Sequence, residues 1–97
     1  MLPTKLTEHE IASKISLLHG WEYKNNAIEK QYVFKDFSEA FGFIGRVGLL
    51  AEKYGHHPDW SGVYNKVNIK LSTHEAGGVT ENDILLAEQM EKYTMSL

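Results

Sequence analysis

Between Trp21 and Thr73 the hydrophobic period of this chain changes twice, from two residues to about 3.6 and back, and that change restricts the fold more than any other feature. From Trp21 apolar residues alternate on either side of Asn25-Asn26, through Tyr23, Ile28, Tyr32 and Phe34, as half-buried strands require. From Phe37 they recur at helical intervals, Ala40, Phe41, Ile44, Val47 and Ala51, behind a capping pair Asp36 and Glu39 and ahead of Gly55. Trp60 to Thr73 alternates again and is broken at Asn65-Lys66, where asparagine suits the positive φ of a hairpin turn. Hairpin, helix, hairpin is the pattern of one antiparallel sheet covered by helices on one face.

Two more helices flank this unit. Thr7 and Glu10 have capping-box spacing before Ile11, Ile15 and Leu18, with Gly20 placed as the stop. After Gly77-Gly78, Thr80 and Asp83 open a helix through Ile84, Ala87, Met90 and Glu91, flanked by Leu86 and Tyr93. The predicted fold is α+β: a four-stranded antiparallel sheet in a ββαββα core with an extra N-terminal helix. A length of 97 residues holds one such core, so residues 1–97 form a single domain.

Charge and composition exclude several functions. A net charge of -3 gives no footprint for nucleic acid or an anionic membrane surface. The absence of cysteine removes disulfides, thiolate metal sites and a cysteine nucleophile. The amino terminus lacks the features of a signal peptide and no apolar run reaches the roughly 18 residues of a spanning helix, so the expected location is the cytoplasm.

Strand register then suggests a site. A turn at Asn65-Lys66 sets Tyr64 opposite Val67, Gly62 opposite Ile69 and Trp60 opposite Leu71 on an apolar face, and carries His57 towards His74 on the polar one. With His56 also following the central helix, three histidines are expected to converge. In the first hairpin, a turn at Asn25-Asn26 would set Glu22 against Glu29, an unfavourable pair, which leaves a longer loop open as an alternative.

The run Glu52-x-x-x-His56-His57-Pro58, followed by Tyr64, His74 and Asp83, resembles the signature of the pterin-4a-carbinolamine dehydratases, and the resemblance extends over roughly residues 28 to 90. It implies a ββαββα core and dehydration of 4a-hydroxytetrahydropterin to quinonoid dihydropterin, the step that recycles the pterin of aromatic amino acid hydroxylases. No cofactor and no metal are implied. Elimination from a carbinolamine needs one group to protonate the leaving hydroxyl and another to take the proton of the adjacent nitrogen, and imidazole serves both near neutrality. His57 is assigned to base and substrate contact, His56 and His74 to acid duty. Substrate contacts are expected from Glu52, Pro58, Asp59, Trp60, Ser72, Thr73 and Asp83.

Plainer readings stand beside these. Trp60 shares a face with Leu71 and reads as core, while Glu52 and Asp83 are ordinary helix-terminal carboxylates. A zinc site at the histidines is disfavoured because adjacent residues in extended chain point to opposite sides. His9 and His19 fall outside the signature and should face solvent.

Finally, Gly42, Gly45 and Gly48 recur every three residues in the central helix, each at a cost of about 1 kcal/mol relative to alanine. Close approach of another helix would offset that cost, with Phe43, Leu50 and Tyr54 as flanking contacts. The helix Phe37 to Tyr54 is therefore expected to mediate homo-oligomerisation, with a tetramer implied by the resemblance. Animal members of that family also serve as the dimerisation cofactor of a homeodomain transcription factor, an alternative role that would add a nuclear pool.

Overall fold

The computed structural model describes residues 3–95. In chain order the elements are α1 (Glu8–Ile15), β1 (Glu22–Lys24), β2 (Ala27–Val33), α2 (Phe37–Tyr54), β3 (Asp59–Val63), β4 (Lys66–Leu71), a short 3-10 turn (His74–Ala76) and α3 (Glu81–Met95). The strands form one antiparallel sheet in the order β1-β2-β4-β3, so the two hairpins meet through β2 and β4. Among the described residues no helix is long and apolar enough to cross a membrane.

Local chemistry accounts for the helix ends. Thr7 and Glu10 form the reciprocal capping box of α1, and Asp36 accepts from the Glu39 backbone N–H at 2.9 Å to open α2. Gly55 closes α2 in the left-handed region, at φ 61°. α1 stops sooner than Gly20 predicts: it is capped at Ser16, and Gly20 takes its positive φ in the turn that leads into β1.

The first hairpin turns at Asn25-Asn26 as one of the two readings had it, and the longer loop falls away. Asn25 and Asn26 both adopt positive φ, 50° and 62°, and form the tight two-residue turn, so Glu22 does lie opposite Glu29. The turn geometry outweighs a repulsion that water screens on an uncovered face. In the second hairpin the turn is Tyr64-Asn65, one residue earlier than predicted, with Tyr64 at φ 52°. Asn65 is engaged otherwise: its side-chain amide donates to the Phe34 carbonyl at 2.8 Å, and its own carbonyl accepts the Phe34 N–H. Trp60 consequently pairs with Ile69 and Gly62 with Val67. Moving a turn by one residue moves the register by two, so every side chain keeps its predicted face.

The core lies between the helices and one face of the sheet. Ile28, Val67, Ile69 and Leu71 from the strands meet Phe43 and Val47 of α2 and Leu86, Ala87 and Met90 of α3. Phe43 is central, 4.6 Å from the Tyr32 ring and 5.0 Å from that of Phe34 between centroids. This corrects the expectation that Phe43 and Leu50 await a partner chain: both are buried within this one, and Tyr93 of α3 stacks on Phe43. What α2 leaves in solvent is Phe37, Phe41 and Leu49.

α3 is held to the sheet by a polar cluster. Glu91 accepts from Trp21 Nε1 at 3.3 Å, from Lys30 Nζ at 2.8 Å and from the Tyr32 hydroxyl. Burial alone would raise the Glu91 carboxyl, but its hydrogen bonds from Lys30 and Tyr32 prevail and hold it below its ordinary value. Burial, with the bond to Glu91, pushes the Tyr32 phenol well above its own.

Glu91→Ala removes the acceptor shared by Trp21, Lys30 and Tyr32, so it should lower stability by about 2 to 3 kcal/mol in urea denaturation. Because the folded state lowers the Glu91 pKa, the unfolded chain binds the extra proton. The contribution is therefore present above the ordinary value of 4.5 and lost as pH falls through the lower folded value. Denaturation midpoints measured against pH should show a shallower acid limb in Glu91→Gln than in the parent.

Candidate active site

The segment joining α2 to β3 carries both consecutive histidines, and extended backbone sends them to opposite sides. His56 turns inward, with a side chain only 13% exposed, and its Nε2 meets Oδ1 of the fully buried Asp83 in the first turn of α3. His57 turns outward, 64% exposed, and its Nε2 lies 3.1 Å from Oε1 of Glu52 in the last turn of α2. Each imidazole is thus held through the same ring nitrogen by its own carboxylate.

Asp83 is bonded on both oxygens. Oδ2 accepts the Thr80 backbone N–H at 2.8 Å and the Thr73 hydroxyl at 2.9 Å, while Oδ1 faces His56. Thr73 is buried, so the side chain expected to touch substrate instead orients a carboxylate. Asp83 has no exposed surface either, which makes it a partner of His56 rather than a surface group.

His74 is not paired with His57. The ladder between β3 and β4 ends at Asp59 and Lys70, and the chain beyond Leu71 closes a bridge from Thr73 to Gly78 around the 3-10 turn. The extrapolated pairing fails because the turn sits one residue earlier. The backbone of His74 is nonetheless brought to the same end of the sheet, since it directly follows Thr73, whose hydroxyl binds the carboxylate that holds His56. Its own side chain is exposed.

Beside His57 opens a cleft of about 270 Å³ between α2 and the edge of the sheet. Ile44, Val47 and Gly48 form its helical wall, Ile69 and Trp60 its sheet wall, and Pro58 and His57 its mouth. Trp60 is 51% exposed, which corrects its reading as core: β3 is an edge strand whose every residue is exposed, so no helix covers it. The helical wall escaped the sequence reading because Ile44 and Val47 have ordinary core spacing.

The remaining predicted residues are dispersed. Asp59 starts β3 opposite Lys70 and belongs to the uncovered sheet face. The Ser72 hydroxyl donates to the Asn26 carbonyl at 2.8 Å, tying the end of β4 to the first hairpin turn. A larger hollow of about 400 Å³ lies on that uncovered face, floored by Glu29, Lys70, Gln31 and Asn68, and it contains no histidine. His9 and His19 are exposed, and the His19 carbonyl accepts from Lys30. Among the described residues no three His, Asp or Glu side chains are grouped to hold a metal ion.

The chain is similar to known proteins over nearly its whole length. A protein of Paraburkholderia xenovorans is 52% identical over 92 residues, covering 93% of this chain and 96% of its own. One from Prochlorococcus marinus strain NATL2A is 47% identical over 87 residues, covering 90% and 92%. Both are provisionally named pterin-4-alpha-carbinolamine dehydratases. A crystal structure of a transcriptional coactivator/pterin dehydratase from Brucella melitensis superimposes with a TM-score of 0.89 at 44% identity, covering 92% of this chain and 97% of that one. A pterin dehydratase-like RuBisCO assembly factor of the alpha-carboxysome, at 23% identity and a TM-score of 0.64, shares the fold. The family model for pterin 4 alpha carbinolamine dehydratase matches residues 4–93, and the chain belongs to that family.

Proposed function

We propose that this chain dehydrates a 4a-hydroxytetrahydropterin, the 4a-carbinolamine, to quinonoid dihydropterin and water, as a recycling step for pterin-dependent aromatic amino acid hydroxylation. The observation that carries this reading is the pair of consecutive imidazoles, each oriented by a separate carboxylate, with the second at the mouth of an apolar cleft. In the elimination the C4a–O bond breaks, the neighbouring ring nitrogen gives up its proton, and a carbon–nitrogen double bond forms between them. His57 is accessible and held by Glu52, which suits a base that takes the nitrogen's proton. His56 and His74 are the acids that protonate the departing hydroxyl. Trp60 and the small Gly48 leave a slot for the bicyclic pterin ring.

The accompanying assembly is a homo-oligomer, proposed as a tetramer, built on the exposed face of α2. Phe37 and Phe41 stack on each other at 5.8 Å between centroids and, with Leu49, stay in solvent. Gly42, Gly45 and Gly48 have nothing within 4 Å of where a Cβ would stand, so no contact within the chain requires them. A second copy of the same helix, approaching along this ridge, would bury the aromatics and use the glycines. The coactivator half of the Brucella protein's name favours a second reading, in which the same face docks a transcription factor.

Purified protein mixed with chemically generated 4a-carbinolamine should accelerate dehydration, followed by absorbance; no acceleration over the spontaneous rate refutes the enzymatic reading. His57→Ala and His74→Ala should each slow turnover by about 10² to 10⁴, and His9→Ala and His19→Ala should match the parent. Exhaustive chelation should leave the rate unchanged, and loss of turnover on removal of a stoichiometric metal would contradict the mechanism. Gly45→Leu is accommodated by a lone chain and gains about 1 kcal/mol of helix propensity. In light scattering it should nevertheless reduce an oligomeric parent to a smaller species; a monomeric parent disproves the assembly.

A further inference from the structure

Thr80 is fully buried, lines neither hollow and stands outside the signature, yet its hydroxyl is bonded on two sides. Proton bookkeeping shows what it does. The Asp83 carboxylate only accepts, so the Thr73 hydroxyl, 2.9 Å from Oδ2, must spend its single proton there. Thr73 Oγ1 is also 2.7 Å from Thr80 Oγ1, and with its proton already committed it can only accept, so Thr80 is the donor in that bond. Thr80 Oγ1 in turn accepts the Asn82 backbone N–H at 3.2 Å. The chain of bonds therefore runs one way, from the Asn82 amide through Thr80 and Thr73 to Asp83. Meanwhile the Thr80 backbone N–H donates to the same Oδ2 at 2.8 Å, so the bond that satisfies this amide at the start of α3 also aims the carboxylate.

The other carboxylate oxygen faces His56 Nε2, which must then carry a hydrogen. We propose that Thr80, with Thr73, is a positioning residue: the one-way chain holds Asp83 as a pure acceptor, locks neutral His56 as the Nε2–H tautomer, and leaves Nδ1 as the nitrogen that exchanges a proton with substrate. The last clause rests on the dehydratase reading, whereas the tautomer does not. Catalysis with the wrong tautomer fails even when geometry is kept, which is why an outer partner of a histidine matters to rate.

Long-range proton–nitrogen correlation spectra of the 15N-labelled full chain, on the alkaline side of the histidine titration, read the tautomer directly, with His56 assigned from the signals lost in His56→Gln. The parent is expected to show Nε2 protonated and Nδ1 bare. Thr80→Ser should keep that pattern, and Thr80→Val should show both tautomers. If Thr80→Val does not fold, Thr73→Val carries the same expectation with the α3 cap intact. In turnover, kcat of the valine variants should fall roughly 10- to 100-fold with KM little changed, and Thr80→Ser should restore it. A neutral parent His56 protonated on Nδ1 overturns the proposal, as does a folded valine variant that keeps both the single tautomer and the parental kcat. A parent with the expected tautomer but no dehydratase activity supports the hydrogen-bond chain and refutes the proposed function alone.

Discussion

A carboxylate with no exposed surface sets conditions that three separate segments must meet. Burying an ionised group costs several kcal/mol unless donors replace the lost water, and Asp83 obtains them from His56 after α2, from Thr73 after β4 and from Thr80 at the head of α3. These are loops and helix ends, the parts of a small domain that otherwise open most easily. A single charge gathers them at one end of the sheet. About two turns further along the same helix, Glu91 does the equivalent with Trp21, Lys30 and Tyr32, so α3 is fastened to the sheet side at two levels.

The opposite side of the domain follows from incomplete cover. Three helices shield one face of four strands, but β3 at the sheet edge has no helix over it, and Trp60 remains half exposed beside α2. The gap between α2 and that strand is the cleft beside His57. Rigid and open surfaces therefore adjoin within two residues: His56 belongs to the buried network, His57 to the cleft. An elimination that shuttles protons at neighbouring atoms suits such an arrangement, since one imidazole is fixed by the interior and the next is accessible to a ligand.

Neighbouring copies of α2's outer face would meet the same helix from the other direction. Its inner face is fully used within the chain by Phe43, Val47 and Leu50, while its outer face carries glycines with empty space before them and aromatics in solvent. Glycine in a helix interior is costly, and neither the sheet nor α3 requires it at these positions. The wide apolar surface legible in the sequence thus divides into a part buried within the chain and a part left in solvent.

Rules that act along the chain set the order of elements, the helix starts and the face on which each strand residue lies. Those depend on neighbours in the chain: period, capping pairs such as Asp36 with Glu39, and the alternation that survives a register shift of two. The histidine-rich segment was legible as well, because its spacing is a local property. The partners, by contrast, depended on how the folded elements came together. Tyr64, not Lys66, shares the second turn with Asn65, because the Asn65 amide is drawn to the Phe34 carbonyl just past the end of β2, far away in sequence. His57 lost its expected pairing with His74, and Thr73 became an internal donor, through contacts between segments whose separation in sequence no pattern reports. Trp60 took the apolar side that alternation assigns to it, but whether a helix lies above that side is settled by where α2 and α3 come to rest on the finished sheet. Local rules act through backbone geometry within a few residues, whereas burial and proton partnership depend on which surfaces meet once the chain has closed.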